Sequence, residues 1–154
     1  MYLLLKVTHV ISATVLFGVG VGSAFYKFRA DSQDDLHAIV FANRNVVLGD
    51  WIFITPSVII QPITGVWMAI LTGYRLTEAW IIGAVGLYFL AGLCWIAAVI
   101  LQIRMRDLSV CALQQGVSLP SNYYRLARAW FWLGVFGFLA MVVILFLMVF
   151  KPTI

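Results

Sequence analysis

Four runs of this chain, Tyr2–Tyr26, Val46–Leu71, Trp80–Ile103 and Ala127–Phe150, are each long and apolar enough to cross a lipid bilayer as a helix. A hydrocarbon core takes about 20 apolar residues to span, and backbone inside it must satisfy its own hydrogen bonds. Open sheets are thereby excluded. Short barrel strands would alternate polar and apolar residues, which these runs do not. Of the 154 residues, 64% are hydrophobic and 10% charged, against about a quarter charged in a soluble domain. The first run has no basic stretch ahead of it, holds Lys6 within it and is too long for a cleaved signal, so it reads as a mature span. The expected architecture is all-α: a single integral membrane four-helix bundle over residues 1–154.

Orientation follows from the bases. The first and third connections share one face and hold Lys27, Arg29, Arg44, Arg104, Arg106, Arg125 and Arg128, whereas the opposite face has Lys6, Arg75 and Lys151. The positive-inside rule puts both termini on the non-cytoplasmic side. The net charge of +4 then reflects topology and lipid headgroup contact, not a nucleic-acid surface. Cys94, mid-span, and Cys111, assigned to a connecting loop, are too few for a disulfide framework and read as packing residues.

In the first connection, Ser32-Gln33-Asp34-Asp35 has the spacing of a capping box that opens a helix bearing Leu36, Ile39, Val40 and Asn43 on one side. The third connection continues past Ile103 as polar helix, breaks between Gly116 and Pro120, and restarts with Ser121 as N-cap. Tyr123, Tyr124, Trp130 and Trp132 fall where interfacial aromatic belts occur.

An ionisable group inside a span is costly unless paired, which singles out His9. Helical spacing groups it with Tyr2, Lys6, Ala13, Leu16 and Gly20, and Gly18, Gly20 and Gly22 leave room for a neighbouring helix or a flat cofactor. Two readings stand. One is an imidazole hydrogen-bonded across the bundle beside glycines that only pack. The other is a haem ligand, with Lys6 near a propionate. His37, in the first connection, is expected to be solvated and on the other side of the membrane from His9. A second iron ligand would therefore be Met141, Met148, Lys6, water or the His9 of a second copy.

The second span carries Asp50, Ser57, Gln61, Thr64 and Met68 on one helical face, turned toward the interior, while Pro56 and Pro62 release the carbonyls of Ile52 and Val58. Such a stripe suits a binding cavity, a proton path or simple packing. Asp50 is expected to pair with Arg44 or Arg125. In the third span Tyr88, Trp95 and Gln102 recur every seventh residue, and in the fourth Trp130, Gly134, Gly137, Met141, Ile144 and Met148 form a matching seam. The chain has no phosphate loop, zinc-protease motif or nucleophile elbow, which argues against hydrolytic chemistry.

Several segments carry a family resemblance: Leu5-Lys6-Val7-Thr8-His9-Val10, Phe17 to Gly22, Gly49-Asp50-Trp51-Ile52-Phe53 with Thr55-Pro56, Gln61 to Gly65, Leu101 to Asp107, and Leu147 to Pro152. With them the chain resembles a bacterial domain-of-unknown-function family of predicted four-span integral membrane proteins. That resemblance implies a multi-pass protein of the bacterial inner membrane. Lys6-x-x-His9 with Phe17-Gly18 is also distantly similar to the opening of HemJ-type protoporphyrinogen oxidases and CopD-like membrane proteins. The first of these implies a haem b role for His9. Those oxidases also have a lysine in the third span, and Trp80–Ile103 has none. That departure counts against porphyrinogen oxidation and leaves haem binding open.

Two functions are expected from this reading. The first is a haem-b-binding redox protein with His9 as metal ligand and Lys6, Gly18, Gly20, Gly22 and Met141 around the cofactor. It would exchange electrons with a quinol or a partner membrane oxidoreductase, as one chain or as a homodimer. The second is a non-catalytic binding or assembly module that holds a lipid, a quinone or a partner helix. A small transporter is a third reading, disfavoured by the lack of an internal repeat.

Overall fold

The computed structural model describes residues 1–33 and 35–152. Helix α1 runs Tyr2–Asp31, α2 Leu36–Gly49, α3 Thr55–Leu71, α4 Ala79–Gln115 and α5 Ser121–Phe150. A π-helical turn, Asp50–Ile54, joins α2 to α3, so that Leu36–Leu71 is one continuous rod. Four helices are thus long and apolar enough to cross a membrane. Each continues past its apolar run, α4 by more than two turns, because the added residues are polar helix formers that extend into water at no cost in burial.

Adjacent helices are antiparallel. α4 lies along α5, α1 along α3, and α2 sits against both α1 and α4, whereas α1 and α5 barely touch. A cluster of buried apolar side chains gathers where α2, α4 and α5 converge: Ile39, Val46, Ala98, Met105, Tyr123 and Trp130. This core belongs to the end of the bundle that holds the basic connections. Elsewhere large apolar side chains face outward, as a lipid-embedded surface requires.

The π turn has a local cause. Pro56 has no amide hydrogen, and just ahead of it the ladder resets: the Thr55 amide bonds the Asp50 carbonyl five residues back, and the Thr55 hydroxyl donates to the same oxygen at 2.9 Å. Pro62 frees the Val58 carbonyl, and the Tyr88 hydroxyl of α4 donates to it. The carbonyl that Pro62 frees is thus taken up by a neighbouring helix, while Pro56 follows directly on the π turn.

Several sequence-based expectations are corrected at the helix ends. Asp35, not Ser32, caps α2, its carboxylate accepting from the His37 amide at 2.9 Å, while Ser32 closes α1. Asp34 of the expected capping box lies outside the described residues. Pro120 holds the N-cap position of α5 and Ser121 is its first residue. Cys111 is an exposed residue of α4 and not of a loop. Gly116 ends α4 in the left-handed conformation, φ 64°, as its place before the break predicts.

Candidate functional site

The buried polar groups form three layers through the bundle. At the end opposite the basic connections, His9 of α1 meets α3. Its ring Nδ1 lies 2.8 Å from the Thr64 hydroxyl oxygen. That hydroxyl donates its only hydrogen to the carbonyl of Ile60, at 2.7 Å. The network therefore assigns the proton to His9 Nδ1, which donates to Thr64, and leaves Nε2 with a free lone pair.

The backbone at this point is held as tightly as the ring. The His9 carbonyl accepts from Gln61 Nε2 at 3.1 Å and from Ser12 Oγ at 3.0 Å. Gly65 lets the two helices close on the imidazole: a β-carbon there would stand 3.3 Å from His9 Cε1. Sequence spacing places Gln61 and Thr64 on the inward stripe, and both are buried along with Asp50 and Ser57. The pairing of that stripe with His9 could not be read from spacing.

The glycines singled out on α1 behave differently. No atom lies within 4 Å of where a β-carbon would stand on Gly18, Gly20 or Gly22. Within one chain they admit no helix. The close approaches are made instead by Gly65 against His9, by Gly83 against Leu147, and by Gly137 against Cys94 and Ala91. Lys6 is exposed and makes no hydrogen bond among the described residues. Met141 is half-buried on α5. α5 reaches α1 through the edge-to-face pair of Phe17 and Phe138. Counting equal numbers of residues from that pair along antiparallel helices, each rising about 1.5 Å per residue, sets Met148 nearer the level of His9 than Met141. His37 is exposed at the start of α2, as expected.

The middle layer contains Asp50. Its expected ion pair with Arg44 or Arg125 does not form: among the described residues the ion pairs are Lys27–Asp31 and Arg106–Asp107. The carboxyl turns inward instead, where Trp95 and Gln102 of α4 face it. The cause is rotational. Asp50 shares the buried face of Asn43 and Ser57, and an arginine on the outer face cannot reach it.

The third layer lies at the basic end, where the sequence counts Lys27 toward topology and Tyr123 toward an aromatic belt. Lys27 is 1% exposed and Tyr123 fully buried. The Lys27 ammonium donates to both Asp31 oxygens, at 3.1 and 2.8 Å, and to the Tyr123 hydroxyl at 2.9 Å. That hydroxyl donates to Asp31 Oδ1 at 2.7 Å and accepts from Asn43 Nδ2, which also donates to Ser109. Trp130 stacks a further face of the cation, 5.7 Å from ring centroid to Nζ. Tyr123 and Trp130 are therefore interior, not interfacial, while Tyr124 and Trp132 are exposed as a belt requires. The seven-residue repeat Tyr88, Trp95, Gln102 continues to Ser109, which was the available signal for this layer.

The family model for a predicted integral membrane protein (DUF2269) matches residues 3–152, nearly the whole chain. The chain belongs to this family. No curated protein and no solved structure matches it. The chemistry open to this DUF2269 protein is that of its own side chains. Among the described residues no three of His, Cys, Asp and Glu gather as a metal cluster. The single imidazole His9, with one nitrogen tied and the other free, is the donor the bundle offers.

Proposed function

We propose that this protein binds haem b in the membrane and passes electrons to or from a quinol or a partner membrane oxidoreductase, with His9 as one axial ligand. The observation that carries this reading is the hydrogen bond from His9 Nδ1 to Thr64, which sets the ring in the tautomer whose Nε2 can donate to iron. A haem would supply one-electron chemistry. The chain's own part is to fix the imidazole through Thr64, to stiffen its backbone through Gln61 and Ser12, and to hold the α1–α3 seam closed at Gly65. The donor set fits one axial position. Met148, the exposed Lys6, water or the His9 of a second copy are the candidates for the other, and Met141 is a less well placed one. Both termini on the non-cytoplasmic side of a bacterial inner membrane accord with the arginines at the ends of α4 and α5.

The test is the visible absorption spectrum of protein purified from haem-replete cells. A Soret band is expected, lost in His9→Ala and shifted or weakened in Thr64→Val, where the ring loses its anchor. Colourless wild-type protein sinks the proposal.

A second reading rests on a separate observation, the open surface of α1 at Gly18 and Gly22, which stand one turn apart on one face, and at Gly20 on the other side. Here the protein is an assembly module, and the face of Gly18 and Gly22 admits a partner helix or a lipid or quinone with no redox role. It predicts colourless protein that copurifies with its partner, and loss of that partner when Gly18 becomes leucine.

A further inference from the structure

At the basic end, α4 and α5 border an open cleft of about 380 Å³, lined by Arg104, Asp107 and Leu108 of α4 and by Asn122 and Leu126 of α5. Leu108 and Leu126 pack against the buried core and make its floor, whereas Arg104, Asp107 and Asn122 are exposed and make its rim. An apolar floor under a polar rim suits an amphiphile.

The cleft also stands where a membrane meets water. Ile103 ends the apolar run of α4 and Ala127 begins that of α5. Gly137 packs on Ala91 and Cys94, which sets the antiparallel register, and by that register Leu126 is level with Arg104 and Asn122 with Leu108. Toward the hydrocarbon, Ile100 and Ile96 continue the Arg104 face of α4 one and two turns on, 48% and 52% exposed. They offer an acyl chain a track that begins at the guanidinium.

Charge and hydrogen-bond counting select the occupant. Arg106 binds Asp107 Oδ1, through Nε at 2.9 Å and Nη2 at 2.8 Å, which leaves Oδ2 to accept from something else. Arg104 has no acidic partner among the described residues, and neither its guanidinium nor the Asn122 amide makes a side-chain hydrogen bond there. Two guanidiniums against one carboxylate favour an anion over a metal cation. A free phosphate would leave the leucine floor unused, and a helix, about 10 Å across, does not enter a cleft this small. A choline or ethanolamine headgroup would bring a further cation beside the two guanidiniums. A lipid phosphate, by contrast, accepts from Arg104 and Asn122, and hydroxyls on its headgroup donate to Asp107 Oδ2.

We propose that the cleft is a binding site for an anionic glycerophospholipid whose headgroup carries free hydroxyls, drawn from the leaflet at the basic end. Its phosphate sits on Arg104 and Asn122, its hydroxyls on Asp107, its glycerol backbone over Leu108 and Leu126, and a chain runs along Ile100 and Ile96. The inference stands whether or not His9 binds haem.

The experiment is the thermal midpoint of the purified protein in detergent, titrated with phosphatidylglycerol, phosphatidylmethanol, phosphatidylcholine or inorganic phosphate, since a ligand of the folded state raises it saturably. Phosphatidylglycerol should raise the midpoint at the lowest concentration, phosphatidylmethanol, of equal charge but without hydroxyls, should need more, and the other two should have little effect. Arg104→Gln should weaken the apparent affinity for phosphatidylglycerol roughly tenfold or more, Asn122→Ala should weaken it less, and Asp107→Ala should erase the preference over phosphatidylmethanol. Arg75→Gln, at the opposite end of the bundle, should bind as wild type does. An equal rise with phosphatidylcholine or with inorganic phosphate overturns the proposal. So does wild-type affinity in both Arg104→Gln and Asn122→Ala, a loss in Arg75→Gln as large as in Arg104→Gln, or no preference for phosphatidylglycerol over phosphatidylmethanol.

Discussion

The Lys27 ammonium and the Tyr123 hydroxyl, 96 positions apart in sequence, meet at 2.9 Å inside the basic end of the bundle. Through them the first and last helices are joined, and Asn43 and Ser109 add the other two. Every hydrogen of the ammonium is used, on Asp31 and Tyr123, so burial leaves no bare charge.

Tyr123→Phe keeps the ring and removes its hydroxyl from Lys27, Asp31 and Asn43 at once. A loss of about 1–3 kcal/mol is expected from the buried groups left unpaired, read as a lower thermal midpoint in detergent. Lys27→Ala should cost more, because it strips the cation from Asp31 as well as the packing against Trp130. A variant of either residue as stable as wild type would mean the network carries no stability.

Glycine substitutions should divide by position. Gly65→Ala drives a methyl to 3.3 Å from the His9 ring, and the ring or helix must give way, at a cost of about 1–3 kcal/mol. If His9 binds haem, the Soret band should shift as well. Gly18→Ala meets open space and should be neutral or stabilising by up to about 1 kcal/mol, since alanine is the better helix former. A destabilised Gly18→Ala would show that this face is covered in the assembled protein.

Tyr88 and Pro62 should be energetically coupled. The Tyr88 hydroxyl serves the carbonyl that Pro62 leaves free, so Tyr88→Phe should cost about 1 kcal/mol or somewhat more in the native background. In a Pro62→Ala background, residue 62 recovers an amide to offer Val58, and the same change should cost much less. A double-mutant cycle on thermal or denaturant stability measures the difference. Additive effects would separate the two residues.

The native cysteines report topology without further mutation. Cys111 is exposed on the extension of α4 and Cys94 sits half-buried against Gly137. If both termini lie on the non-cytoplasmic side, a membrane-impermeant maleimide should label Cys111 in inverted vesicles and not in intact cells, leaving Cys94 unlabelled from either side. Labelling of Cys111 in intact cells would reverse the orientation.

Much of the candidate site was legible along the chain. Asp50, Ser57, Gln61 and Thr64 share one face at spacings of seven, four and three residues, and all four are buried. The sequence also marks His9 as the imidazole within a span, and the prolines as the places where the second rod departs from a regular helix. These are local facts. They depend on residues a few positions apart, on helical periodicity, and on a solvent that accepts only self-satisfied backbone.

What the sequence alone determined, then, is the number of membrane-crossing helices, their antiparallel order and the polar stripe of the second, because lipid leaves no other fold for four such apolar runs. Only the tertiary structure decided which partner each polar group meets. Lys27 turns inward to Tyr123, Asp50 faces Trp95 and Gln102, and the close approach between α1 and α3 is made at Gly65 against His9, not at Gly18, Gly20 or Gly22. The physical reason is that such pairs depend on the relative rotation and height of helices distant in sequence. A rotation of one residue position, about 100°, exchanges an inward side chain for an outward one without altering the apolar pattern of either helix.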